Sequence, residues 1–326
     1  MQILIIKLSS LGDLFHALPA VRALKQGLNA QVDWVTQTSY VELVRCFTDV
    51  RRVIGFPRRG NGKDWARFMH ELRRERYDLI LDLQGLMKSA LVTRLARGAR
   101  RIGPSFHREG SRMLYDAVAG LRNKERHAVD ELLDVVRFLG APIPAVAEFP
   151  VTFPQRHIEA NHPRIALAPC SRWPTKNWPA ARFGEVARAL HAKTGATFFI
   201  VGAPEDRSVC DEIARVLGTT ALNLCGQTSL VELGAVMAEM DLALTVDSGP
   251  MHMAAALGVP VLALFGPTDP RRTGPYGKQH RIWDVPEESC AKCFSARCRR
   301  GDLICMERIQ PDAIIAAALD MLRMKK

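Results

Sequence analysis

No apolar run in this 326-residue chain is long enough to span a bilayer. The longest, near 253–266, is interrupted by Gly258 and Pro260 and falls short of the roughly 20 residues a spanning helix needs. The first residues, Met1-Gln2-Ile3-Leu4-Ile5-Ile6-Lys7, lack a basic leader and a cleavage site, so a secretory signal is not expected and a cytoplasmic protein is. The phosphate-binding fingerprints are also missing. Gly12 is the one glycine after the first strand where GxGxxG needs three, and there is no GxxxxGK[ST] loop. Aromatics make up only 7% of the residues. In the most basic stretch, Trp65, Phe68, Tyr77, Phe106 and Tyr115 are dispersed rather than interleaved for base stacking, which argues against a nucleic-acid-binding module. Fixed short repeats and low-complexity tracts are absent.

Positive charge, by contrast, is abundant and localised. The net charge is +11, and residues 51–126 alone carry 19 Lys and Arg against 8 Asp and Glu. A surplus gathered in one block points to a polyanionic partner more than to a solubilising surface: phosphorylated glycolipid, membrane surface or nucleic acid.

The hydrophobic pattern alternates between short apolar runs and segments of helical period. Strands are expected at 2–8, 32–36, 52–56 and 78–83, with helices near 64–76, 86–97, 111–121 and 127–139. Three prolines in 140–150 break this order and read as a linker. Alternation restarts with strands at 164–168, 197–201, 221–224, 242–246 and 259–265 and helices between them. A last helix opens at Pro311, a favoured first-turn proline. The expectation is an α/β chain of two Rossmann-like doubly wound domains facing a cleft, 1–150 and 151–310, with a C-terminal helix at 311–326.

Five polar loops fall at strand ends, where such folds bind ligands. Ser9-Ser10-Leu11-Gly12-Asp13 puts a carboxylate at a helix start, able to accept a proton or simply to cap the helix. Asp247-Ser248-Gly249-Pro250-Met251-His252 opens a helix whose free N–H groups suit a pyrophosphate; an ordinary strand-to-helix turn is its plainer reading. In Cys170-Ser171-Arg172-Trp173-Pro174-Thr175-Lys176, Ser171 could bind phosphate and Lys176 could neutralise a departing diphosphate, unless the loop is only a solvated surface. Gly202-Ala203-Pro204-Glu205-Asp206 offers a carboxylate for ribose hydroxyls or for capping. Phe265-Gly266-Pro267-Thr268-Asp269-Pro270 is the fifth.

The combination SSLGD after the first strand, QGLMKSA at 84–90, VDSGPMH at 246–252 and FGPTDP at 265–270 resembles glycosyltransferase family 9, the ADP-heptose:lipopolysaccharide heptosyltransferases. Arg58-Arg59 with Lys63, Gln84-Gly85-Leu86 and His127-Ala128-Val129 make the likeness strongest to the heptosyltransferase I branch, which adds the first heptose to Kdo–lipid A. The resemblance implies a GT-B fold and inverting transfer of heptose from ADP-heptose to Kdo–lipid A, with a later core heptose or a protein as alternative acceptors. It also implies roles. Asp13 matches the general base, and Lys176 a donor-phosphate contact. Asp206 matches the ribose carboxylate, and Asp247, Ser248, Gly249 and His252 the donor turn. Ser171 keeps one hydroxyl of a Thr pair whose other member is Cys170 here. Arg58, Arg59, Lys63, Lys88 and Arg108 are the candidates for the acceptor's anionic groups. Catalysis would need no metal, and the enzyme would work at the inner face of the inner membrane, with nucleic acid not a partner.

Four of the eight cysteines, Cys290, Cys293, Cys298 and Cys305, fall within 16 residues. This clustering suits a structural zinc or iron site or a set of free thiols, whereas disulfides are disfavoured in a cytosolic protein. Cys46, Cys170, Cys210 and Cys225 read as scattered small apolar residues.

Overall fold

The computed structural model describes residues 1–123, 125–285, 290 and 292–324. The chain divides into two compact units, Met1–Thr152 and Phe153–Lys326. Strands β1 (Gln2–Ile6), β2 (Gln31–Gln37), β3 (Val50–Phe56), β4 (Tyr77–Asp82), β5 (Gly98–Pro104) and β6 (Ala117–Ala119) form the first sheet, in the order β3-β2-β1-β4-β5-β6. Strands β7 (Arg164–Ala168), β8 (Thr197–Ile200), β9 (Ala221–Asn223), β10 (Leu242–Val246), β11 (Val261–Phe265) and β12 (Arg281–Asp284) form the second, in the order β12-β11-β10-β7-β8-β9. Every pairing within these sheets is parallel. Numbered from its own first strand, each sheet has the 3-2-1-4-5-6 order of a doubly wound nucleotide-binding fold.

Burial explains which strands are plain in the sequence. In β1, Ile3 to Ile6 are all fully buried, and β10 and β11 are buried throughout, as central parallel strands covered by helices on both faces must be. The strands that the pattern does not announce are β5, β6 and β12. Strand β5 starts Gly-Ala-Arg-Arg with those residues largely exposed, and β12 alternates half-buried and exposed residues at a sheet edge. The helix expected near 111–121 is not formed. Ser111–Leu114 makes one tight 3-10 turn after the left-handed Gly110, and Ala117–Ala119 adds the edge strand β6 instead.

The C-terminal helix Pro311–Met324 packs on helix Ala180–Thr194 within the second unit. Trp178, buried beside Phe183, donates its indole N–H to Ile309 O at 3.2 Å and pins the approach to that helix. In the first unit, Tyr115 fills the space over Gly103, where a Cβ would lie 2.1 Å from the ring. Its hydroxyl donates to Asp82 Oδ2 at 2.8 Å. Gly103→Ala should therefore displace a buried aromatic and destabilise the fold by about 1–3 kcal/mol, read as a lower denaturant midpoint with an unchanged m-value.

Part of the basic block is structural. Arg51 and Arg52 both bond the fully buried Asp33 near the amino ends of β2 and β3, and Arg51 reaches Glu75 while Arg52 reaches Glu71 and Tyr77. Arg126 makes two bonds to Asp134. A buried carboxylate requires such partners, so the charge surplus in 51–126 is not wholly available to an acceptor.

Candidate active site

In each sheet the strand order reverses between two central strands, β1 and β4 in the first and β7 and β10 in the second. Loops leaving their carboxyl ends diverge there and leave a crevice for ligand. The polar loops singled out in the sequence lie at these carboxyl ends.

At the first reversal the segment after β1 runs through a cis Ser9–Ser10 peptide into helix Leu11–His16. Ser10 N–H and Ser10 Oγ–H both donate to Asp13 Oδ2, at 2.8 and 2.7 Å. The capping reading of Asp13 is thus real, but it engages one carboxylate oxygen on one side, and the residue stays partly exposed. Gln84, after β4, ties the crevice together: its Oε1 accepts from Leu8 N and Ser9 N, both at 3.1 Å. Asp82 orders that turn in its own right, accepting from Gln84 N at 2.8 Å and Gly85 N at 2.9 Å. Burial raises the Asp82 carboxyl above its ordinary value, opposed by those N–H groups and by Ser89 and Tyr115.

Lys7, the last polar residue before this loop, is only 4% exposed. Its ammonium donates to Leu83 O at 2.7 Å, and burial lowers its pKa against the opposing charges of Asp13 and Asp82. The signal for it was present in the sequence, a lysine directly after four consecutive apolar residues, Ile3–Ile6. His16 and His127 stand edge to face at 5.4 Å just behind Asp13's helix.

The acceptor candidates leave neighbouring strands at the same edge. Arg58, Arg59 and Lys63 follow β3 and are exposed, as is Arg108 after β5. Lys88, after β4, is half-buried over Phe56, and its pKa is lowered by burial and by Arg58, with Glu109 opposing. The structure therefore brings Lys88 and Arg58 into one electrostatic neighbourhood.

At the second reversal, Lys176 Nζ donates to Asp247 Oδ2 at 2.7 Å, and Thr268 Oγ1 donates to the same oxygen at 2.7 Å. Three of the five loops thus converge on one carboxylate, 6% exposed. In the sequence Thr268 stands out only as part of its turn; its contact with Asp247 needs the fold. Trp173 lies 4.7 Å from the Lys176 ammonium and holds it by cation–π attraction. Ser248 caps helix Gly249–Ala256, and its buried hydroxyl makes no hydrogen bond among the described residues. His252 is buried in that helix. Ser171 N–H donates to Asn177 Oδ1 at 2.8 Å, which shapes the loop after β7. Asp206 stands one strand away after β8, its Oδ2 accepting from Ala203 N at 2.8 Å as a turn-closing contact.

Three cysteines are not scattered. Cys170, Cys210 and Cys225 are all buried and interact with one another, and the Cys210 thiol is held far above its usual range first by its bond with Cys170, then by burial.

Known proteins give this geometry a context. Residues 65–304 match the family model of glycosyltransferase family 9 (heptosyltransferase). The chain is 30% identical to lipopolysaccharide heptosyltransferase 1 of Pseudomonas aeruginosa, with 96% of each chain covered. The chain belongs to glycosyltransferase family 9. It is also 30% identical to lipopolysaccharide heptosyltransferase 1 of Escherichia coli K12, over 89% of this chain and 95% of that one. Among solved structures, E. coli heptosyltransferase WaaC with ADP superposes with a TM-score of 0.83 at 25% identity, covering 98% of this chain and 100% of that one. This family 9 glycosyltransferase thus has the GT-B type of fold, two Rossmann-like units. Among the described residues, no helix is long and apolar enough to cross a membrane.

Proposed function

We propose that this glycosyltransferase moves heptose from ADP-heptose to the Kdo–lipid A inner core of lipopolysaccharide, with inversion at the anomeric carbon. The observation that carries the donor half is the convergence of Lys176 and Thr268 on Asp247, beside the unbonded Ser248 hydroxyl at a helix N-terminus. A diphosphate fits this setting because its charge is met by an ammonium and by free N–H groups. Relatives at 30% identity that carry the heptosyltransferase 1 name support the sugar and the acceptor class.

In this reading Asp13 accepts the proton of the acceptor hydroxyl, whose oxygen attacks the anomeric carbon while ADP departs from the opposite face. Lys176, Ser171, Ser248 and the N–H groups at Gly249 stabilise the charge growing on ADP, so catalysis requires no divalent metal. Asp247 and His252 orient the sugar side of the donor, and Asp206 receives the ribose hydroxyls. Arg58, Arg59, Lys63, Lys88 and Arg108 hold the acceptor's phosphates and carboxylates. The same cations favour a position at the anionic inner face of the inner membrane, where a lipid-linked acceptor resides.

Product analysis with ADP-heptose and a series of truncated lipopolysaccharides tests this. Kdo–lipid A should release ADP and gain one heptose with inverted configuration, with no divalent metal added to the assay. Transfer only to heptose-bearing cores, or only to protein, would replace the acceptor proposed here. Salt-sensitive DNA binding with no ADP release from any acceptor would replace the reading altogether.

A further inference from the structure

Cys290, Cys293, Cys298 and Cys305 all line one cavity of ≈ 240 Å³, with Arg297, Arg299 and Arg300 also on its wall. None of them has a place in the transfer chemistry above. The segment that bears them is tied to the second unit at fixed points. Phe294 N–H donates to Pro267 O at 2.9 Å, and Thr175 Oγ1 donates to Ser295 O at 2.7 Å. Cys305 is buried against the turn after β11, its sulfur 3.1 Å from where a Cβ on Gly266 would sit.

The backbone after the third cysteine is tightly turned. Gly301 turns with φ +80, and Leu303 is held in the left-handed region at φ 46. A non-glycine residue there costs energy that the surroundings must offset. Four thiolates on a divalent ion leave two negative charges; Arg300 is paired with Asp302, and Arg297 and Arg299 on the same wall are placed to balance them.

We propose that these four cysteines bind a single divalent ion, zinc(II) or iron(II), in a tetrahedral tetrathiolate site that braces the donor side of the second unit. Sulfur is the soft ligand such ions take in closed structural sites. Among the described residues no three His, Cys, Asp or Glu side chains are already gathered as a metal-binding group. Binding must draw the four sulfurs from the cavity wall to mutual distances of about 3.8 Å, the value that Zn–S bonds of about 2.3 Å impose. Cys293 is exposed, the one of the four whose side chain is least held by packing, and it has the furthest to move. The thiols give up their protons as the metal binds, which makes affinity rise with pH. The anchor points adjoin the donor residues directly: Thr175 precedes Lys176, and Pro267 precedes Thr268. A closed site would stiffen both loops without touching the reacting atoms.

The full chain, purified under reducing conditions without chelator from cells supplied with zinc and iron, should contain one metal per molecule by elemental analysis. Cys170, Cys210 and Cys225 are buried and should react slowly with a thiol reagent throughout, whereas four further thiols should become reactive only when a chelator is added. Cobalt(II) added to the stripped chain should give thiolate-to-metal charge-transfer bands and the visible bands of a tetrahedral site; iron or zinc as the native ion is told apart by colour and elemental content. Cys293→Ser should weaken metal binding by more than the 10–100-fold that loss of a mere supporting group costs, while Cys46→Ser, in the other unit, should not change it. Absence of metal after reconstitution with either ion, with a thiol count that chelator does not change, overturns the site. So does a Cys290–Cys293 disulfide trapped in freshly lysed cells. If Cys293→Ser fails to fold, the cobalt titration and thiol count on the unaltered chain still decide.

Discussion

Replacing Asp13 by Asn is expected to lower kcat by about 10²–10⁴-fold, the range a lost general base spans, while leaving the fold and the donor KM nearly unchanged. Asn is the informative choice because of what Oδ2 does in the structure. It accepts from Ser10 N and Ser10 Oγ, and the amide oxygen of Asn can accept both bonds. The helix start at Leu11–His16 therefore keeps its two Ser10 contacts, and what is removed is the carboxylate charge that Lys7 senses together with the capacity to take a proton. Asp13→Ala removes both, and should add a stability loss of about 1 kcal/mol, the usual worth of a helix-start side chain. Comparing the two separates the roles that the sequence left open. A fully active Asp13→Asn enzyme would reduce Asp13 to a helix-start residue and leave the proton acceptor unassigned. Lys7 provides a further check: its ammonium is buried and senses the Asp13 charge. Lys7→Met should therefore shift the acidic limb of the kcat/KM profile upward, because the nearby cation that favours the ionised carboxylate is gone.

The architecture was legible because it depends on periodicity, and the central strands declare themselves. Ile3–Ile6 and Leu242–Val246 are continuous apolar runs because both faces of their sheets are covered. Strands β5 and β12 were not legible, because Arg100, Arg101, Arg281 and Asp284 lie where burial is incomplete and the apolar signal is diluted. The site was legible as a set of loops at strand ends, yet its couplings were not. Nothing in the spacing of Lys176, Asp247 and Thr268 says that they meet on one oxygen; that follows from β7, β10 and β11 lying side by side. The charge block shows the opposite error. Composition counts Arg51, Arg52 and Arg126 with the acceptor candidates, whereas the fold uses them against Asp33 and Asp134. Similarly, Cys170, Cys210 and Cys225, far apart in sequence, become neighbours only when two strand ends and the helix Arg207–Leu217 come together.

The second large effect should come from Lys176. Its ammonium is bound to Asp247 and braced over Trp173, which leaves its other protons free for an oxygen ligand. If it stabilises charge that grows as ADP leaves, Lys176→Met should lower kcat by about 10²–10³-fold, the cost of deleting one well-placed transition-state donor, with a smaller change in donor KM. Lys176→Arg should rescue little. A planar fork cannot reproduce a compact ammonium that serves Asp247 and a phosphate oxygen from one atom. The methionine variant also leaves Asp247 buried with Thr268 as its remaining side-chain donor, so stability should fall by about 1–3 kcal/mol. That loss must be separated from the kinetic one, and Asp247→Asn in the Lys176→Met background does so. It removes the orphaned charge and should recover much of the stability, yet it cannot restore the cation. A doubly substituted enzyme that is stable but much slower than Asp247→Asn alone assigns the rate effect to the missing ammonium. One that regains activity along with stability would show that Lys176 serves only to neutralise Asp247, and the leaving diphosphate would then depend on Ser248 and the helix N-terminus alone.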